Sequence, residues 1–139
     1  MLFRSCAGGV VFYLDMVYLL RNEKNEWVLP KGVIRSGKNA KDVAKERVYI
    51  EAGIKAEILC SAGETCYEFY SLTRKTPVCN EIYWYVMAAE SAAHQASREQ
   101  GFMEGRYFPV QEGIDVVTYS QDKALIRLAY EKYQTIHRK

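Results

Sequence analysis

With 139 residues, 49% of them apolar and 26% charged, the chain has the length and composition of one soluble globular domain able to bury a core of its own. A formal charge of +2 is too small to argue for nucleic acid or a membrane surface as a partner. Cys6, Cys60, Cys66 and Cys79 have neither C-x-x-C spacing nor clustered histidines. They indicate neither zinc nor a disulfide framework, and the expectation is buried, reduced thiols in a cytoplasmic protein.

Residues 5–13 and 16–21 are rich in β-branched and aromatic side chains, and Leu14-Asp15 between them suits a tight hairpin. Arg4 ahead of CAGGVVFYL superficially resembles a secretory leader. Asp15 breaks the apolar run, no small-residue cleavage site follows, and the stretch is too short to span a bilayer, so a first strand is expected. Gly8-Gly9 inside that strand implies a bulge, a close approach by another backbone or a ligand, or a simple need for small side chains. After a polar turn at 22–26, Trp27-Val28-Leu29-Pro30-Lys31-Gly32 puts an expected core tryptophan before a lysine at the mouth of a glycine turn. There the Lys31 ammonium is either available to a phosphate or merely solvated.

Gly32 and Gly37 bracket a turn, Asn39 is a helix N-cap with Asp42 three residues on, and Gly53 supplies the left-handed residue that ends the helix. The helix is predicted to start near Ala40, with Ala40, Val43, Ala44, Val48 and Ile50 forming its apolar side. Positions 47, 50 and 51 stand at i, i+3 and i+4 and share a face.

Strands are predicted at 55–62 and 66–72, then a basic turn at 73–77 and a returning strand at 78–88. Alternation sets Tyr67 and Phe69 on one face and Tyr70 on the other, and Tyr83 and Tyr85 opposite Trp84. Residues 90–100 read as an exposed loop or a short irregular helix. His94 and His137 have no partner legible in the sequence and receive no role. Residues 105–110 are predicted as the last strand. Ser120 is then expected to cap a terminal helix with Ala124, Leu125, Leu128, Ala129 and Tyr133 in one stripe and a basic tail.

The segment 32–54 resembles the Nudix box, G-x(5)-E-x(7)-R-E-U-x-E-E-x-G-U, where U is a bulky aliphatic residue. Gly32, Val48, Glu51, Gly53 and Ile54 match it. Lys38 stands at the first glutamate, Glu46 at the arginine, Arg47 at the glutamate after it and Ile50 at the first of the glutamate pair. The preceding Trp-x-Leu-Pro-Lys-Gly is similar to a signature of diadenosine and diphosphoinositol polyphosphate hydrolases of that family, and the similarity extends in order over nearly the whole chain.

The resemblance implies a Nudix α/β/α sandwich with a mixed, curved sheet. It implies a nucleotide-type small molecule as ligand and, if the chain is active, Mg (or Mn) as cofactor. Glu51 is the remaining metal-ligating and catalytic carboxylate, and Glu99 or Glu104 is the family's later glutamate. Tyr67 or Tyr70 is implied as a stacking surface for a base, Lys31 and Arg47 as phosphate-binding groups, and Gly32, Lys38, Glu46 and Gly53 as structural positions. Lys38 and Glu46 are the family's loop-to-helix pair exchanged in sign, able to keep the brace or to stand as unrelated surface charges.

The three box side chains 47, 50 and 51 are expected to point together into a diphosphate-sized cleft. One carboxylate beside an arginine does not make a multi-metal site, since Mg needs several hard oxygen ligands. Three readings follow. The chain is a dinucleoside-polyphosphate type hydrolase of low or absent activity, or a binder in which Arg47, Lys31 and Arg35 grip phosphates, or a scaffold neutralised by an Arg47–Glu51 pair. An exposed aromatic hairpin also permits a homodimer.

Overall fold

The computed structural model describes residues 1–137, so the basic tail at 138–139 lies outside the described residues. In chain order the elements are β1 (Leu2–Tyr13), β2 (Met16–Asn22), β3 (Trp27–Val28), β4 (Lys31–Val33), α1 (Ala40–Ala52), β5 (Ala56–Ser71), β6 (Thr76–Ala89), β7 (Phe102–Pro109), α2 (Val110–Val116) and α3 (Ser120–His137). The strands form one mixed sheet in the order β3-β2-β1-β6-β5, with β4 also on β1 and β7 also on β2.

β1 is the axis. It runs parallel to β6 from Leu2 to Phe12, while its other edge pairs with β4 through residues 6–8 and with β2 through residues 12–13. The sheet therefore forks along β1, and Gly8-Gly9 sits at the fork. The Gly9 N–H donates to the Pro30 carbonyl at 3.1 Å. A Cβ on Gly8 would run into that same carbonyl and the Trp84 ring, and one on Gly9 would meet Met87 and Val48. Close approach by another backbone is observed at Gly8, and the need for a small residue against neighbouring side chains at Gly9.

Alternation along the strands sends two sets of apolar side chains to opposite faces. Ala7, Val11, Leu20 and Met87 pack with Val43, Ala44, Val48 and Ala52 of α1. Val10, Phe12, Trp84 and Val86 pack with Ile114 of α2 and Leu125, Ile126, Ala129 and Tyr133 of α3. The result is the expected α/β/α sandwich with a mixed, curved sheet.

Local signals hold at α1. Asn39 is extended, its Oδ1 accepts from the Asp42 N–H at 2.9 Å, and its amide donates to the Asp42 carboxylate at 2.8 Å. Gly53 is left-handed (φ 64°) and its N–H donates to the Tyr49 carbonyl. The buried positions of α1 are Val43, Ala44, Val48, Glu51 and Ala52, so Glu51, not Ile50, belongs to the inward face.

Three further expectations are corrected. The strands predicted at 55–62 and 66–72 are one strand, because register shifts at residues 58–60 and 61–63 and the positive φ of Gly63 absorb the irregularity without ending the pairing. The last strand, predicted at 105–110, is β7 from Phe102 to Pro109, and Val110 already opens the short helix α2, where Gly113 lies against Val17 and a side chain would not fit. In α3 the buried set is Leu125, Ile126, Ala129 and Tyr133, with Ala124 and Leu128 exposed. Phe12 stacks on Tyr133 at 4.7 Å between ring centres, on the side of α3 that faces the sheet. Ser120 is the first helical residue, and the Tyr119 carbonyl accepts from Asp122 and Lys123. Among the described residues no helix is long and apolar enough to cross a membrane.

Candidate functional site

Helix α1 delivers Glu51 to the interior. Its Oε2 accepts from the Arg47 guanidinium at 2.7 Å, across one helical turn, and its Oε1 accepts from the Lys31 backbone N–H at 3.3 Å. The Glu51 side chain is 7% exposed and that of Arg47 25%. Burial raises the Glu51 pKa above its ordinary value, and the hydrogen bond and charge of Arg47 offset only part of that rise.

Arg47 also donates to Gln100 Oε1 at 3.0 Å. Its stem crosses Gly32, where a Cβ would lie 2.5 Å from the guanidinium Nε. Gly32 is therefore glycine so that this side chain can pass. The loop 90–101 is tied to the same helix end: Gln95 N–H donates to the Ala52 carbonyl and Ser97 N–H to that of Glu51, satisfying carbonyls that a helix terminus leaves open. His94 has a partner after all, its Nδ1 lying 3.1 Å from the Tyr18 hydroxyl, and it pins the middle of this loop to β2.

Beside Glu51 lies a cavity of about 610 Å³. Trp84, Ile82 and Leu29 contribute apolar lining, and Lys31, Glu51, Glu26, Tyr119 and Asp122 polar lining, with the Lys31 charge felt by both Glu26 and Asp122. Trp84 Nε1 donates to Thr65 Oγ1 at 2.8 Å, which fixes the indole plane. Glu26 accepts from the Tyr119 hydroxyl at 2.6 Å and from the Asn22 amide at 3.0 Å, bonds that lower its pKa.

Asp122 lies in the first turn of α3, where burial lifts its carboxyl from 3.8 to about 6 while Lys31 pulls the other way. An acid with a raised folded pKa contributes stability that is complete below about pH 4 and is lost as pH rises through about 6. Asp122→Asn is expected to remove that decline and to be more stable than the parent at pH 7 by ~1–3 kcal/mol. Urea unfolding of both proteins at pH 4.5 and 7 checks it, and an unchanged pH slope would contradict it.

The sequence-selected residues divide clearly. Glu51, Lys31 and Tyr67 line the cavity; Arg47 and Ile50 do not. The expectation that 47, 50 and 51 point into it together is corrected, because Arg47 is drawn back onto Glu51 and Gln100 while Ile50 stands on the half-buried side of α1. Tyr67 accepts a hydrogen bond from the Asn80 amide at 2.6 Å, whereas Tyr70 is exposed beside the β5–β6 turn, opposite Pro77. Glu104 is held by Arg21 at 3.1 Å and Arg106 at 2.8 Å, which lower its pKa, and Glu99 is exposed in the turn at 98–101. Neither reaches the cavity lining. Lys38 Nζ lies 3.3 Å from Glu46, both about half exposed.

Glu26, Gln100, Tyr119 and Asp122 belong to the site without having been singled out. A glutamine beside Glu99 and an acid behind a cap-like serine were the only local signs of them.

The donor set does not suit a divalent cation of the Mg kind. Glu51 is ion-paired, both its oxygens are already accepting, and Arg47 Nε, buried without a hydrogen-bond partner, is a donor of the wrong sign for a metal. Among the described residues no three His, Cys, Asp or Glu side chains come together as a metal would require.

No protein-family model matches the sequence. Solved structures do resemble the fold. An Ap4A hydrolase from C. elegans, in a binary complex, superposes with a TM-score of 0.69 at 17% identity, over 95% of this chain and 98% of that one. A NUDIX hydrolase from Nitrosomonas europaea gives 0.71 at 18% identity over 96% and 74%. The E. coli dihydroneopterin triphosphate pyrophosphohydrolase gives 0.71 at 14% identity over 91% and 95%. At these identities the likeness is one of fold, and the fold is that of Nudix hydrolases.

Proposed function

We propose that this Nudix-fold chain acts in the cytoplasm as a binder of nucleoside diphosphate-linked small molecules, of the dinucleoside polyphosphate type, with weak or absent Mg-dependent pyrophosphohydrolase activity. One observation carries the reading: the Glu51 carboxylate is committed to Arg47 and the Lys31 N–H, and Arg47 and Ile50 stand where the box would place further carboxylates. The resemblance of Trp27–Gly32 to polyphosphate-hydrolase sequences and the likeness to the Ap4A hydrolase fold support the ligand class.

In this reading a flat base enters the cavity against Trp84 and Tyr67, and the phosphates lie toward the Lys31 ammonium, both part of its lining. Arg47 acts as the counter-ion of Glu51 and does not grip phosphate itself. No bond-breaking step is assigned to Glu99 or Glu104, since neither lines the cavity.

The test is a panel of dinucleoside polyphosphates, nucleoside triphosphates and nucleotide sugars, assayed for turnover and for thermal shift with Mg, with Mn and with chelator. A dinucleoside polyphosphate shift indifferent to chelator, with little or no turnover, is expected. Robust turnover that requires Mg would overturn the reading. Arg47→Glu combined with Ile50→Glu restores acidic side chains at 47, 50 and 51 and is expected to gain Mn affinity over the parent in a direct titration. A folded double variant that binds no more Mn than the parent would show that positions 47, 50 and 51 do not make one ligand set.

A further inference from the structure

Of the four cysteines expected to be buried, Cys6 and Cys79 are, Cys60 is half-buried and Cys66 is exposed. Cys66 is exposed on β5, Cys79 is buried on β6, and their Sγ atoms are 2.9 Å apart. The register explains the meeting: Cys66 faces Glu81 and Glu68 faces Cys79, so the two cysteines are diagonal neighbours on the same face of an antiparallel pair. A sulfur–sulfur bond is ~2.05 Å long, so the two atoms, already 2.9 Å apart, need to approach by less than ~1 Å for the bond to form.

We propose that Cys66 and Cys79 are an oxidative modification site that closes into a reversible intrachain disulfide when the protein meets a low-molecular-weight disulfide of the glutathione class. The accessible Cys66 thiolate attacks one sulfur of oxidised glutathione, forming a mixed disulfide and releasing one glutathione thiolate. Cys79, as thiolate, then attacks the Cys66 sulfur, forming the intrachain bond and releasing the second glutathione. The protein loses two protons and two electrons in all, and oxidised glutathione becomes two molecules of the thiol.

In the dithiol the hydrogen bond with Cys66, burial, and the nearby Glu68 and Glu81 carboxylates hold the Cys79 thiol up at about 11, so Cys79 is not the thiol that makes the first attack.

The bond would act on the site from behind. Thr65 and Tyr67 flank Cys66 and turn to the opposite face, where they line the cavity. The Cys66 carbonyl also accepts from Gln121 at the start of α3, at 3.0 Å. A cross-link between positions thirteen residues apart in sequence therefore clamps the stretch of β5 that borders the cavity.

Purified protein is incubated with excess oxidised glutathione and followed by intact mass, thiol titration and peptide mapping. A glutathione adduct on Cys66 is expected first. Free thiols then fall from four to two, the mass drops by two hydrogens, a Cys66–Cys79 linked peptide appears, and the thermal midpoint rises by ~5–10 °C, reversibly with dithiothreitol. Cys79→Ser should stop at the adduct, and Cys66→Ser should form neither species. Four titratable thiols after prolonged oxidation, a bridge through Cys6 or Cys60, or a cross-link between two copies would each overturn the proposal. The wild-type peptide map decides the matter even if Cys79→Ser does not fold.

Discussion

Arg47→Ala is expected to cost about 3 kcal/mol of folding stability at neutral pH, and much less near pH 4.5. The guanidinium is the principal partner of a carboxylate that is 7% exposed, and its removal leaves Glu51 with one 3.3 Å hydrogen bond from the Lys31 backbone. Breaking a buried pair on one side costs ~3–5 kcal/mol, and because a quarter of the Arg47 side chain reaches solvent the lower end applies.

The pH dependence follows from the direction of the Glu51 shift. Its folded pKa already lies above the ordinary 4.5 because burial outweighs Arg47, and without Arg47 it rises further. A group with a raised folded pKa contributes stability that is fully present below its unfolded pKa and lost as pH rises through the folded one. The deficit of the variant against the parent must therefore grow from about pH 4.5 toward neutrality. Urea unfolding at both pH values measures it, and Glu51→Gln in the Arg47→Ala background should flatten the dependence. A deficit equal at both pH values would mean that the lost stability is packing across Gly32 and not charge.

The second large effect is at Trp84. Trp84→Ala is expected to lose ~4 kcal/mol, because a side chain 2% exposed leaves a void that the sheet cannot close. The Gly8 backbone, drawn against the indole by the fork in the sheet, has no side chain with which to fill the space. Trp84→Phe keeps most of the volume and loses the hydrogen bond to Thr65, for a cost of ~1–2 kcal/mol. Chemical unfolding followed by the remaining fluorophore, Trp27, distinguishes the two. Any nucleotide-induced thermal shift should survive Trp84→Phe far better than Trp84→Ala, since the cavity keeps an aromatic face. Equal stability of the two variants would show that the indole is not the packing centre described here.

What the sequence by itself determined was whatever short-range geometry controls. Asn39 and Gly53 mark the ends of α1 because a cap and a left-handed residue act within a few bonds. The hairpins follow from alternation and turn chemistry, and the spacing of 47 and 51 puts an arginine and a glutamate one turn apart.

Tertiary structure alone decided which side of α1 faces inward. Apolar patterning favoured Ile50, but Glu51 is the residue buried, because Arg47 and the Lys31 N–H compensate a carboxylate there. It also decided that β5 runs unbroken past Gly63, since pairing with β6 across two bulges outweighs a local break. Gln100, Tyr119 and Asp122 join the cavity only because the loop 90–101 and the start of α3 fold back onto elements far away in sequence. Cys66 and Cys79 meet only through the register of two strands. Local chemistry writes element ends and spacings into the chain, whereas the meeting of distant side chains is set by how the sheet forks and which helix covers each face.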